Sequence, residues 1–227
     1  MDLTFYGHSC FSVEIAGRTL LFDPFITGNE LAKSIDVSKI KADYILISHG
    51  HDDHVLDVEL IAKRTGAKLI SNYEIINWFA AKGLENGHPL NHGGKAQFDF
   101  GIVRYVNAVH TSSMPDGSYG GNPGGFVIES EEGNFYFSGD TALTYDMKLI
   151  PLQTEKIHFC VFPIGDNFTM GYKDAVTAAE FTNCERVVGV HYDTFGYIEI
   201  DKDKAKKEFE RNGKDLILPK IGETISL

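Results

Sequence analysis

The stretch Tyr44-Ile-Leu-Ile-Ser-His-Gly-His-Asp-Asp-His54 decides how the chain is read. Tyr44 to Ile47 is short, apolar and isoleucine-rich, which reads as a buried strand that ends abruptly in polar residues. On an extended backbone, side chains two apart point the same way, so His49, His51 and Asp53 are expected to share one face beyond the strand. His54 breaks that period where a helical pattern through Val58, Leu60 and Ile61 takes over, and this swings it back toward the same cavity. Three imidazoles and a carboxylate crowded together are costly to desolvate, and protonated rings repel one another. A divalent metal removes that cost by taking up the lone pairs.

Around this stretch the chain reads as a folded α/β protein. Its 227 residues suffice for one sizeable core, and 43% hydrophobic with 12% aromatic content sets it apart from disordered chains. The formal net charge of −11 disfavours long nucleic acids, whose phosphates an acidic surface repels. Cys10, Cys160 and Cys184 are odd in number and widely spaced, the usage of a reducing compartment. No signal peptide opens the chain and no apolar run is long enough to span a bilayer, so a cytoplasmic, single-domain protein over 1–227 is expected. A homo-oligomer is compatible with all of this.

The patterning gives strands over 3–6, 11–15 and 19–23, with Ala16-Gly17-Arg18 as a hairpin turn. Further strands are expected at 68–71, 97–101, 102–109, 126–129, 135–137, 157–162 and 186–190, with two short ones at the C-terminus. Helices are expected from Val58 to Lys63, Tyr73 to Lys82, Tyr145 to Leu149, Lys173 to Phe181 and Lys202 to Arg211. A long glycine-rich loop, Thr111 to Gly125, is of the kind that covers or lines binding sites. No repeat of fixed period is visible. Potential metal ligands recur at strand ends: Asp23, His49, His110, Asp140 and His191. Strand ends at one sheet edge gather in space however far apart they lie in sequence. His88, His92 and His158 fall off this pattern.

The order His49-Gly-His51-Asp-Asp53-His54, then His110, Asp140 and His191, resembles the metallo-β-lactamase superfamily along nearly the whole chain. Gly7-His8-Ser9, Phe22-Asp23-Pro24, Gly139-Asp140-Thr141, Pro163-Ile-Gly165 and Val190-His191-Tyr192 are similar to a subgroup of small hydrolases that includes ascorbate-6-phosphate lactonase. The resemblance implies a four-layer αββα sandwich with the site at one edge. It implies that His49, His51 and His110 hold one divalent cation, that Asp53, His54 and His191 hold a second, and that Asp140 bridges them. It also implies that Asp23 orients an imidazole and that His8 sits nearby. The implied chemistry is hydrolysis of a small ester, lactone or phosphodiester by a hydroxide shared between the cations, with Asp53 and Asp140 as the catalytic carboxylates. Zinc suits the donors first, with manganese, iron, nickel and cobalt also compatible. His8, Asn167, Tyr192 and Thr194 are candidate substrate contacts. The competing reading is a non-catalytic metal-binding or interaction module on the same scaffold.

Overall fold

The computed structural model describes all residues from Met1 to Leu227. Three antiparallel strands open the chain, β1 (Asp2–Gly7), β2 (Cys10–Ile15) and β3 (Arg18–Phe22). Ala16 and Gly17 turn the second corner with φ of 51° and 72°, the left-handed pair that a two-residue hairpin loop requires. Strands β4 (Tyr44–Leu46), β5 (Lys68–Asn72) and β6 (Gly87–Leu90) then add in parallel beside β3. Their connections carry the helices α1 (Asp52–Val55), α2 (Val58–Thr65) and α3 (Tyr73–Ala80).

The second sheet repeats the same grammar. Strands β7 (Lys95–Phe98), β8 (Gly101–Asn107), β9 (Gly124–Ser130) and β10 (Gly133–Phe137) run antiparallel. Strands β11 (Ile157–Pro163), β12 (Arg186–Val190) and β13 (Asp215–Ile217) continue in parallel from β10. Here the helices are α4 (Ile150–Gln153), α5 (Tyr172–Phe181) and α6 (Lys202–Arg211), and β14 (Thr224–Ser226) crosses back to pair with β1. The orders are therefore β14-β1-β2-β3-β4-β5-β6 and β13-β12-β11-β10-β9-β8-β7. Both sheets turn from antiparallel to parallel at their fourth strand, a structural repeat that no sequence period announces.

Alternation in the strands explains the layering. Leu20 and Phe22 face the inter-sheet core while Leu21 faces outward, and Phe135 and Phe137 face inward while Tyr136 faces outward. Both faces are apolar, which is why these strands read as nearly continuous hydrophobic runs. The inner layer is aromatic, with Phe11 stacked on Phe22 at 4.5 Å and Phe135 on Phe159 at 4.8 Å. Outside the first sheet, Val58 and Ile61 of α2 and Ile75 and Phe79 of α3 cover Ile45 and Leu69. Outside the second, Ala175 and Ala179 of α5 and Phe209 of α6 cover Cys160 and Val187. The result is the four-layer αββα sandwich. No helix is long and apolar enough to cross a membrane.

Three expectations are sharpened or changed. The short helix expected over 145–149 is present and is sharpened to a 3-10 helix that leads into α4. Strand β6 was invisible because it carries Pro89, which a sheet tolerates at an edge, where β6 lies. The shared extended face is the third: His51 is extended (φ −62°, ψ 147°), but helix α1 starts at Asp52, so a helical turn and not a strand carries Asp53 and His54.

Candidate metal centre

Each sheet changes from antiparallel to parallel at β3 and at β10, and the residues just past these strands face each other across the sandwich edge. Asp23 follows β3, His49 lies just beyond β4, Asp140 beyond β10 and His191 directly after β12. His110 lies three residues past β8, and His8 sits in the turn between β1 and β2. Asp23, His8 and His191 have φ of 41°, 53° and 54°, left-handed values that aim each side chain out of its strand's pleat. Gly139, with φ +60°, lets the chain bend ahead of Asp140; a Cβ there would lie 2.6 Å from the Gly124 carbonyl.

The centre begins with Asp23, which is fully buried. Its Oδ1 accepts the Ser48 amide at 2.7 Å, and its Oδ2 accepts the Ser48 hydroxyl at 2.5 Å and His54 Nδ1–H at 2.8 Å. Because the Ser48 hydroxyl proton points to Asp23, its oxygen accepts from His49 Nδ1–H at 2.9 Å. One carboxylate thus sets two tautomers and leaves the Nε2 lone pairs of His49 and His54 facing inward. Ser48 is the participant the sequence did not single out; its only signal is its place immediately before His49.

At the focus, Asp140 Oδ2 lies 2.9 Å from His191 Nε2, 3.3 Å from His54 Nε2 and 3.7 Å from His110 Nε2. Two groups flank it. The donor atoms of His49, His51 and His110 lie within 4.8 Å of one another, as do those of His8, Asp53, His54 and His191. In the first group His49 Nε2 is 3.0 Å from His51 Nδ1. In the second, Asp53 Oδ2 is 3.8 Å from His54 Nε2 and 3.9 Å from His191 Nε2. Asp23 also lies near His49 and His54, but both its oxygens are already taken.

His8 has both ring nitrogens occupied. Nε2–H donates to Asp53 Oδ2 at 3.0 Å, and Nδ1 accepts the Thr194 hydroxyl at 2.9 Å. That pattern needs a neutral ring, and burial with the neighbouring His191 pushes its pKa down to about 4. Of the other candidate contacts, Thr194 thus reaches the centre through His8.

Electrostatics separates the two groups. Burial lowers His51 and His110, and burial with His54 nearby holds His49 well below the usual imidazole range. In the second group burial works against the charges, yet His54 and His8 hold Asp53 well below the carboxylate range. Burial likewise opposes the charge on His54, and Asp140 and Asp53 outweigh it, keeping its pKa high. Asp140 is held low, against its burial, by His191 and His54.

These donors fit divalent metal. His54 Nε2 and Asp140 Oδ1 are buried with no hydrogen-bond partner in the protein, a costly arrangement that a cation between them would relieve.

The 111–125 loop braces this edge. Thr111 Oγ1 is 3.3 Å from His51 Nε2, and the Ser112 hydroxyl accepts the Gly50 amide at 3.0 Å. Met114 packs so close that a Cβ at Gly50 would lie 2.5 Å from its sulfur. Asn72 Nδ2 and Trp78 Nε1 donate to Gly120 O and Asp116 Oδ2, both at 2.8 Å. The loop is thereby clamped to the motif it overlies.

The αββα sandwich and an imidazole–carboxylate focus at its edge define a protein of the metallo-β-lactamase class. Residues 2–191 match the family described as Beta-lactamase superfamily domain, and the chain belongs to it. Within that family it belongs with the UPF0173 metal-dependent hydrolases. It is 58% identical over 227 residues to one from Flavobacterium johnsoniae, covering 100% of both chains. It is 43% identical over 232 residues to one from Bacillus subtilis, again over 100% of each. Igni18, a metallo hydrolase of the archaeon Ignicoccus hospitalis, shares 34% identity with a TM-score of 0.89, over 99% of this chain and 97% of that one.

Proposed function

We propose that the chain hydrolyses a small ester, lactone or phosphodiester at a centre of two divalent cations. In this reading His49, His51 and His110 hold one cation, Asp53, His54 and His191 the other, and Asp140 serves both. Zinc suits the donor set first; manganese, iron, nickel and cobalt share the preference for imidazole and carboxylate. The observation that supports the reading most is the position of Asp140, whose Oδ2 lies within 3.7 Å of imidazoles delivered by three separate segments of the chain.

When bound, such cations supply a water of pKa lowered from about 15.7 toward 7 and a Lewis acid for the charge that develops on a substrate oxygen. The chain's own work is orientation. Asp23 and Ser48 fix the rings of His54 and His49. Asp53, gripped at Oδ2 by His8, is the carboxylate placed to orient the attacking water. A protein nucleophile has no support: Ser9 Oγ is buried without a partner, and burial pushes the Cys10 thiol far above its usual pKa. The three free, buried cysteines fit a cytoplasmic setting, and the net charge of −11 fits a small-molecule substrate better than a polynucleotide.

The test is a panel of generic phosphodiester, lactone and thioester substrates with metal-loaded protein. Turnover of at least one, abolished by chelation and in His51→Ala, is expected. A His51→Ala protein that keeps two metals and full activity refutes the assignment.

A further inference from the structure

Beside Asp53 a cleft of about 620 Å³ opens to solvent, a volume suited to a small-molecule substituent. Phe25, Leu56, Phe168, Phe195 and Tyr197 form its walls. They come from the loops after β3, α1, β11 and β12, of which those after β3 and β12 also feed the centre. The wall is continuous with the site: the rings of Phe25 and Phe195 lie 5.4 and 5.3 Å from that of His8, which itself holds Asp53. Further out, Phe168 and Tyr197 meet edge to face at 6.1 Å.

These rings are exposed on braced loops. Phe168 is 51% and Tyr197 79% exposed, although both could have been polar at no cost to the core. Met170 N donates to Thr141 O at 2.9 Å and Asp166 N to Met170 O at 3.1 Å, which pins the Phe168 loop next to Asp140. Asp193 N donates to Ile198 O at 2.8 Å and closes the loop that carries Phe195 and Tyr197. At Gly28 a Cβ would lie 2.5 Å from Phe25 and 2.7 Å from Leu56, so the residue there has no side chain to crowd the wall.

The charge of the cleft is as distinctive as its shape. Its charged lining residues are Asp52 and Asp53, and no lysine or arginine lines it. Aromatic faces attract cations and apolar groups, and Asp52, which the proposed reading leaves free of any cation, repels anions.

We propose that this cleft receives the non-reacting portion of the substrate, and that this portion is an apolar or aromatic group carrying no negative charge. The proposal rests on the hydrolase reading for its meaning, but its geometry can be tested without turnover. Three probes of similar size serve: benzyltrimethylammonium, benzyl alcohol and benzylsulfonate, with binding to the metal-loaded full chain followed by ligand-observed NMR titration. The sulfonate is expected to bind about tenfold more weakly than the ammonium. The double variant Phe168→Ala/Tyr197→Ala should weaken the ammonium and the alcohol about fivefold. Asp52→Lys should reverse the order of the charged pair. All three side chains are exposed, and unchanged thermal unfolding checks that the variants fold. Equal or tighter binding of the sulfonate, or binding indifferent to the double variant, overturns the proposal. Butyryl thioesters of thiocholine and of 2-mercaptoethanesulfonate then test the reaction separately. Absence of turnover of these thioesters and of the whole generic panel, with the binding order intact, removes the hydrolase reading and leaves the cleft; turnover without charge discrimination in binding does the reverse.

Discussion

The two donor groups that meet at Asp140 are assembled by different means. His49 and His51 come from one short loop and His110 from across the sandwich; all three are imidazoles, and burial lowers the pKa of each. Asp53, His54 and His191 combine a carboxylate held low with an imidazole held high, and His8 and Thr194 brace them from behind. One group is imidazole throughout; the other sets a carboxylate among its imidazoles. Asp140 Oδ2 lies near His110 of the first group and near His54 and His191 of the second, so under the proposed reading the two groups differ in support and charge but share one carboxylate.

The largest expected effect follows from that sharing. Asp140→Ala should lower kcat/KM by on the order of 10³-fold or more and reduce bound metal in both groups, since it removes the common carboxylate. Metal analysis of the purified variant decides. Loss of one equivalent only, with the other held normally, would mean that the groups are independent.

Ser48→Ala sharpens the comparison on the first side. It breaks the link between Asp23 and His49 while leaving Asp23 on His54, and a roughly 10- to 100-fold fall in metal affinity is expected. Competition with a chromogenic chelator reads this out. An unchanged affinity would show that packing alone holds the His49 ring.

The smallest effect is on the second side and is a matter of pH. In metal-stripped protein His8 titrates at about 4 when folded, against about 6.5 unfolded. The unfolded chain therefore binds more protons between these values. His8's contribution is full above pH 6.5 and is lost as pH falls toward 4, by up to about 3 kcal/mol. His8→Asn, which tolerates the left-handed backbone, should flatten urea-unfolding stability across that window. A slope identical to that of the wild type contradicts the neutral-ring assignment.

The sequence made a good deal of this legible. Isoleucine-rich runs gave the buried strands, and Ala16-Gly17 gave a hairpin because local backbone conformation follows local residues. Helix α1 was misread because a turn of four residues leaves no periodicity to detect. Ser48 escaped notice because its role depends on a carboxylate 25 positions away. The aromatic cleft escaped for the same reason: Phe25, Phe168 and Phe195 share no local pattern.

What the chain determined by itself is the inventory: which residues can bind a cation, and that they fall at strand ends. That much is local, since period and composition are written in consecutive residues. Only the tertiary structure decided which of them meet, because two sheets stacked face to face bring β3, β4, β8, β10 and β12 to one edge. The pairing of His8 with Asp53, the tautomers set through Ser48 and the anion-averse wall beside them all arise from contacts between residues far apart in sequence, whose distances no linear pattern records.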